Sequence, residues 1–210
     1  MRAETVADPR QAERADATRE RILEAAEALL RRHGPAKMTV VDVARALDMS
    51  HGNVYRHFTS KAELHDAVAE RWLHAISAPL ARIAAGPGSA SERLQKWVLA
   101  LAAAKRRKVL DDPELFATYH ALAVAVRTVV DGHVGELRAQ LRDIIASGIA
   151  KREFAPTDPE SAAAAVLDAT ARFHHPHHVR ENASRSNAEE KRAAQRVLDL
   201  LVAGLRTGSL

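Results

Sequence analysis

The chain has no cysteine, and aromatic residues make up only 4 % of its 210 positions. Without cysteine, neither disulfide bonds nor thiolate metal sites can form, which fits the reducing cytoplasm. No segment reaches the ~18 uninterrupted apolar residues of a membrane-spanning helix, and the polar N-terminus lacks the apolar core of a signal peptide. No run alternates apolar and polar residues as a half-buried strand does. We therefore expect a cytoplasmic protein without strands.

Hydrophobic residues nevertheless make up 47 % of the chain, and they recur at helical spacing. Gly34 would end the first helix, and Gly86-Pro87-Gly88 is the strongest internal break. Later helix starts are marked by capping residues and proline at Asp112-Pro113, Asp158-Pro159, and Asn187 with Glu190. This pattern predicts an all-α fold.

Charge is distributed unevenly, although the formal net charge is only +4. Residues 1–60 hold ten basic against nine acidic residues, whereas residues 61–110 hold nine against four. Since sequence-independent DNA affinity comes from phosphate neutralisation, bulk charge does not argue for DNA binding in the first region. The densest basic run, Lys105-Arg106-Arg107-Lys108, wraps most of a helical turn and cannot form one stripe. We predict that it is a solvated helix end.

One stretch near the N-terminus, TVVDVARALDMSHGNVYRHF, has the pattern of two short helices joined by a tight turn. Thr39 would cap the first helix, with a carboxylate three residues later, and Ser50 would cap the second. Val54 and Phe58, four residues apart, would share a buried face. The polar side chains of the second helix would then point outward, and such a pair of helices fits the major groove of DNA.

Three segments together resemble the DNA-binding domain of the TetR-family transcriptional repressors. They are RILEAAEALLRRHG, the stretch above and SKAELHDAV, and the most specific part is Val54-Tyr55-Arg56 followed by His57-Phe58. One departure is Asp48, at the turn position where the family usually has glycine. Aspartate tolerates a left-handed backbone better than most residues, so the turn is still allowed.

The resemblance implies phosphate contacts for Tyr55, His57 and Lys61. A phenol, an imidazole and an ammonium group at this helix end can meet one DNA strand, and the helix N-termini at Thr39 and Ser50 add backbone N–H groups.

Base contacts are predicted for the outward residues of the second helix, which are His51, Gly52, Asn53 and Arg56. Arginine can pair with guanine and asparagine with adenine, and glycine allows close approach of the backbone. We expect at least one of the four to contact phosphate only.

The resemblance also implies the domain organisation. Residues 16–60 would form an N-terminal three-helix helix-turn-helix domain, and residues 61–210 a larger helical domain for effector binding and dimerisation. Residues 1–15, which are polar, would be a flexible arm. A homodimer would bind a palindromic operator as a repressor, and a small effector would release it.

Two further expectations concern the larger domain. The helices around 158–174 and 187–205 would form the dimer interface, with the alanines Ala162 to Ala165, Ala193 and Ala194 allowing close approach or internal packing. Aromatic and histidine side chains would line the effector pocket or belong to the core: Trp97, Phe116, Tyr119, His120, His133, Phe173 and His174.

Histidine is abundant, with eleven in the chain, and four of them flank Pro176. His174 and His178 lie four residues apart, which suits metal chelation on a continuous helix, but the proline disfavours such a helix. His120 and His133, on other helices of the same domain, could complete a site. The sequence leaves open a divalent metal at this cluster, a histidine-rich loop and the polar lining of a cavity.

Three classes of function stay open. The first is the ligand-responsive regulator, and the second is a metal-dependent enzyme or metal-responsive protein using the His174–His178 cluster. The third is an architectural DNA binder without sequence preference. No nucleophile elbow, glycine-rich phosphate loop or HExxH motif is present, so we do not expect an enzyme.

Overall fold

The structure is a computed structural model, and it describes residues 9–111, 116 and 127–209. In these ranges the backbone forms α-helices and no strand, which confirms the predicted all-α fold. In chain order the helices are α1 (Pro9–Lys37), α2 (Val40–Ala46), α3 (His51–His57), α4 (Lys61–Ala84), α5 (Ala90–Asp111), α6 (Arg127–Ala150), α7 (Pro159–His174), α8 (Pro176–Glu181) and α9 (Asn187–Thr207). None of these helices is both long enough and apolar enough to cross a membrane.

The described residues divide into two compact units, one comprising residues 9–70 and the other residues 71–111, 116 and 127–209. The division falls inside α4, ten residues later than the boundary predicted from the sequence. Buried Leu64, Ala67 and Val68 explain the difference, because these first turns of α4 belong to the apolar core of unit 1.

Helix α1 begins at Pro9 rather than near residue 17. Residues 9–15, which were predicted to be part of a flexible arm, are therefore helical, while residues 1–8 lie outside the described residues. Alanine, arginine, glutamate and glutamine are strong helix formers, and proline suits a first turn, so this stretch is helical without being buried. Gly34 breaks the helix with φ 75° and ψ 166°, as predicted.

Unit 2 is arranged around α5, which packs against α6, α7, α8 and α9. Its core contains the fully buried Trp97 and aliphatic side chains that include Leu94, Leu101, Leu141, Ile144, Val166, Leu198 and Leu205. Gln140 satisfies the indole N–H of Trp97, because Trp97 Nε1 donates to Gln140 Oε1 at 2.9 Å. Gln140 Nε2 in turn donates to Ser77 O at 3.3 Å. The buried indole N–H is thus satisfied by a side-chain amide that is itself hydrogen-bonded.

Two helix starts in unit 2 carry side-chain caps. Asp158 caps α7 by accepting from Ser161 N at 3.0 Å, and proline follows it, as predicted. At α9 the reciprocal box joins Ser186 and Glu189, one residue before the predicted pair Asn187 and Glu190. The sequence offers two overlapping pairs of equal spacing, and serine rather than asparagine is the usual N-cap of a reciprocal capping box. The predicted start at Asp112-Pro113 lies outside the described residues.

Gly148 is required for packing near the end of α6. A Cβ atom at this position would lie 2.4 Å from Phe154 Cδ2 and 2.8 Å from Ala90 Cβ. The helix continues to Ala150, so this glycine does not stop the helix; it makes room for an aromatic ring.

We predict that Gly148→Ala lowers the free energy of unfolding by about 1–3 kcal/mol, because the added methyl group overpacks the core. Gly135→Ala, on the same helix with nothing within 4 Å of the new Cβ, is the matched control and should raise stability by up to about 1 kcal/mol through helix propensity. Urea denaturation measures both, and equal effects of the two substitutions would contradict the packing role.

Candidate functional site

Helix α2 is fixed at its start by a reciprocal cap. Thr39 Oγ1 accepts from Asp42 N at 3.2 Å, and the Asp42 carboxylate accepts from Thr39 N at 3.1 Å. The Asp42 carboxylate also accepts from the Thr39 hydroxyl at 2.6 Å, and this bond is the main cause that lowers the pKa of Asp42. The predicted cap is confirmed. The Thr39 side chain is hydrogen-bonded within the protein, and the turn that contains it is exposed.

The turn between α2 and α3 adopts a left-handed backbone at Asp48, with φ 50°. Met49 N donates to Ala44 O at 3.0 Å and closes the end of α2. Aspartate is one of the few residues that reach this region at modest cost. The departure from the family's glycine is therefore compatible with the helix-turn-helix.

Helix α3 is held in a single orientation by its cap and its apolar face. Ser50 Oγ accepts from Asn53 N at 3.2 Å, and Val54 and Phe58 are fully buried. The guanidinium of Arg19 lies over the Phe58 ring, 5.0 Å from its centroid. The predicted bracing of this helix is confirmed.

The opposite face of α3 lies at the surface. His51, Gly52, Tyr55 and Arg56 are exposed, whereas Asn53 and His57 are half-buried. Tyr55 is 44 % exposed, which is unusual for an aromatic side chain so close to an apolar core. A short helix thus presents hydrogen-bonding groups away from the core that holds it.

Two of the predicted base-contacting residues bind each other. Arg56 Nη2 donates to Asn53 Oδ1 at 2.8 Å, and Asn53 Nδ2 points towards Met49 Sδ at 3.9 Å. The pairing keeps the guanidinium close to the helix, so the predicted base contact would require Arg56 either to exchange this partner for a base edge or to bind with its remaining N–H groups.

Beyond α3, Lys61 at the start of α4 is half-buried, and its Nζ donates to Ala36 O at 3.3 Å. Sequence reasoning missed Val41, an apolar residue on α2 that is 48 % exposed. The available signal was the helical wheel, on which Val41 lies outside the stripe formed by the buried residues Val40, Val43 and Ala44.

In unit 2 the predicted effector-pocket residues separate into three groups. Trp97 is fully buried and its N–H is engaged by Gln140, so in this conformation it belongs to the core. Phe116 packs with Val109 and Val179, and Phe173 packs with Ala193 and Ala194. Tyr119 and His120 lie outside the described residues.

His133 and His174 form a buried basic cluster with Lys105. Lys105 and His133 are each only 7 % exposed, and His174 is half-buried with its Nε2 3.1 Å from Leu167 O. Burial lowers the pKa of Lys105 to about 8. Burial, and then the neighbouring charge of Lys105, lowers the pKa of His133 to about 3. Burial is also the main cause that lowers the pKa of His174 to about 4.

The basic run on α5 is not the solvated helix end that was predicted. Lys105 is buried, and Arg106 binds the segment between α8 and α9, since its guanidinium donates to Asn187 Oδ1 at 2.5 Å and to Asn182 O at 3.1 Å. It also donates to the carbonyl groups of Ala183 and Arg185. Successive residues on a helix point in different directions, so this run contributes both to the core and to a loop.

A surface groove of about 790 Å³ lies along α5. Apolar side chains such as Leu99 and Ala103 line it, with cationic residues such as Arg107 and Lys191 beside them. Among the described residues predicted to bind an effector, Phe173 alone lines this groove, and Lys105 does not line it.

Comparison with known proteins agrees with this arrangement. The family model described as bacterial regulatory proteins of the tetR family matches residues 22–68, and that of the tetracyclin repressor-like C-terminal domain matches residues 90–195. The chain belongs to the TetR family. It is therefore a DNA-binding transcriptional regulator, and the resemblance seen in the sequence is confirmed.

Individual relatives in the family are distant from this regulator. The regulator TtgR of Pseudomonas putida is 40 % identical over 70 residues, which span 33 % of this chain and 33 % of TtgR. A transcriptional regulator from Pseudomonas aeruginosa has a TM-score of 0.70 at 21 % identity, covering 91 % of this chain and 93 % of its own. FadR of Bacillus subtilis, solved with stearoyl-CoA, has a TM-score of 0.61 at 16 % identity, covering 88 % and 98 %.

The three histidines predicted to bind a metal in this TetR-family protein, His133, His174 and His178, do not form one set of ligands, although His133 and His174 lie within electrostatic reach of each other. α7 ends at His174 and α8 begins at Pro176, so His174 and His178 do not share a helix. Within the described ranges, the one group of three candidate ligands with atoms inside 4.8 Å is His177, His178 and Glu181, all exposed. Glu181 lies 3.3 Å from His177 Nε2 and 3.4 Å from His178 Nδ1. His133 is buried elsewhere in unit 2.

Burial of His133 should make this regulator sensitive to acid. Its folded pKa of about 3 lies below the ordinary histidine pKa of 6.5, so below pH 6.5 the unfolded state binds a proton that the folded state does not. Stability should therefore fall by about 2 kcal/mol between about pH 7 and about pH 5 on account of His133 alone. Urea denaturation across this range should show a shallower slope for His133→Leu, and an unchanged slope would contradict the burial of a neutral imidazole.

Proposed function

We propose that this regulator binds a palindromic or near-palindromic operator as a homodimer, represses transcription there, and is released by a small effector bound in unit 2. The observation that carries the proposal is the outward face of α3, where Tyr55 and Arg56 are exposed over fully buried Val54 and Phe58. A braced helix with outward hydrogen-bonding groups is what major-groove recognition requires.

Each outward residue has a proposed role. Tyr55, His57 and Lys61 would contact phosphate together with the N-termini at Thr39 and Ser50, which positions the helix without reading sequence. The base contacts would come from His51, Gly52, Asn53 and Arg56, with the arginine and the asparagine as the main readers.

Dimerisation would use the outer faces of α7 and α9. Of the alanines predicted to allow close approach or internal packing, Ala162, Ala163, Ala193 and Ala194 are buried inside the protomer, which fits internal packing, while Ala164 and Ala165 are half-buried. The outer face of α9 instead carries Leu200, which is 75 % exposed. A large apolar side chain so exposed on a long helix supports an interface with a second copy.

Effector control would act through α4, which runs without a break from Lys61 to Ala84 and belongs to both units. An effector that prefers one position of this helix would favour the separation of the two readers that does not fit DNA. Bacillus subtilis FadR, a neighbour in fold, was solved in complex with stearoyl-CoA, which supports a small-molecule ligand for this regulator.

The DNA-reading role can be tested by selecting bound duplexes from a random pool and measuring affinities by fluorescence anisotropy. We expect an inverted repeat. Arg56→Ala should cost about 1–3 kcal/mol on that sequence and relax the preference at one position of each half-site. Because Arg56 and Asn53 are paired, the effects of Arg56→Ala and Asn53→Ala should not add.

Two controls separate reading from positioning. Tyr55→Phe should weaken binding to all sequences alike, and Arg45→Ala removes an equally charged but mostly exposed side chain on α2 without changing sequence preference. If no sequence is enriched, or if Arg56→Ala behaves like Arg45→Ala, the protein is an architectural DNA binder instead.

The dimer can be tested by sedimentation equilibrium. Leu200→Glu should weaken self-association by at least about tenfold, which corresponds to about 1.4 kcal/mol, because a carboxylate would be buried in the interface. Val134→Glu, an exposed valine on α6 (40 % exposed), is the matched control. Dissociation of both variants, or of neither, would contradict an interface at α9.

A second candidate function is a response to a divalent metal. The observation in its favour is the group formed by His177, His178 and Glu181 on α8. Two imidazoles and a carboxylate are an acceptable zinc or nickel donor set, but a site on the surface of a six-residue helix offers no enclosed position for a substrate. The group therefore supports metal sensing better than metal-dependent catalysis.

A further inference from the structure

We propose that the effector is an organic monocarboxylate with an apolar body, and that Lys105 and His133 bind its carboxylate group. This inference rests on the proposed function, because it names the chemistry of the ligand that unit 2 would bind.

Lys105 is a buried cation without a counter-ion. It is 7 % exposed, on the inner face of α5, and no carboxylate among the described residues forms an ion pair with it. Its ammonium nitrogen lies 5.9 Å from the centroid of the Trp72 ring. Buried lysines are almost always paired, so an ammonium group that lies near an aromatic face but forms no ion pair with a carboxylate of the described residues is missing a partner.

His133 is missing partners as well. Both of its ring nitrogens are buried, and neither has a hydrogen-bond partner in the described part of the chain. Unsatisfied buried polar atoms are rare in folded proteins, and two on one side chain indicate a partner that comes from outside the chain. His133 lies on α6 and Lys105 on α5, two helices that pack against each other.

The charges around these two residues favour an anion. The Lys105 charge lowers the pKa of both His133 and His174, so the three basic groups lie within electrostatic reach of one another. The one carboxylate that acts on the cluster is the exposed Asp168, which affects His174 alone. A metal cation would be repelled by the ammonium group, whereas a carboxylate would accept from the ammonium and from an imidazole N–H.

The side chains around Lys105 favour a ligand that is apolar apart from its carboxylate group. Trp72, whose ring faces Lys105, packs with Val109, Phe116 and Val179 in a small apolar group. A ligand that placed its carboxylate on Lys105 would meet aromatic and aliphatic side chains with the rest of its surface. This combination of an apolar lining and few polar groups is usual for small-molecule sites.

The test uses the full-length protein and three acids with different bodies, octanoate, benzoate and 1-naphthoate, each paired with its neutral amide. Binding is measured by thermal shift and by isothermal titration calorimetry. We expect at least one acid to raise the melting temperature and its amide to bind at least about tenfold more weakly, because the amide carries no charge. The acid should also cause proton uptake near pH 8, since a bound anion raises the pKa of Lys105 from about 8.

Lys105→Met should retain or gain stability without ligand, because it removes an unpaired buried charge, and should lose at least about tenfold in affinity for the acid. Lys108→Met is the matched control, since its ammonium also lies over the Trp72 ring, at 5.6 Å, but is half-buried. It should bind like the wild type. A large loss of stability in Lys105→Met would indicate a structural role and overturn the proposal.

Other results also decide the question. Equal binding of acids and amides, no binding of any acid, no proton uptake, or retained binding in Lys105→Met would each overturn the proposal. The proposed function fails separately: if acids bind through Lys105 but leave operator DNA bound, the anion site stands and effector release does not. If only neutral or cationic compounds release the operator, effector release stands and the anion site does not.

Discussion

The burial of Val54 and Phe58 is the constraint on which the DNA-reading surface depends. These two side chains lie four residues apart on α3, and both are fully buried. A seven-residue helix has too few backbone hydrogen bonds to be stable alone, so its orientation comes from this packing and from the Ser50 cap. Once the apolar pair is fixed, helix geometry leaves Tyr55 and Arg56 no direction except outward.

Interactions between residues close in sequence allowed the helix caps and the apolar face of α3 to be predicted. The caps at Thr39, Ser50 and Asp158 depend on residues at most three positions away, and the apolar pair on α3 depends on a spacing of four. The left-handed turn at Asp48 was likewise an allowed local choice. Where local signals overlapped, the prediction slipped by one residue, as at Ser186, because two boxes of the same spacing competed.

Long-range packing decided what the sequence could not reveal. Arg106 binds Asn187 across 81 positions of the chain, and the role of Gly148 is set by the distant Phe154 ring and by Ala90. Amino-acid composition does not distinguish the four basic residues from Lys105 to Lys108. The rotation of α5 against its neighbours buries the first of them, and a sequence without partners does not fix that rotation.

That rotation has an energetic consequence for Lys105. Its pKa falls from 10.5 to about 8, so between these values the unfolded state binds more protons and stability rises with pH; below about pH 8 the buried ammonium costs about 3 kcal/mol. A protein whose total stability is only about 5–15 kcal/mol does not retain such a cost for packing, since methionine would fill the space without it. An arriving anion that restores the ordinary pKa would recover this free energy as affinity. The free energy that the unpaired ammonium group costs the free regulator would then contribute to the affinity for the anion.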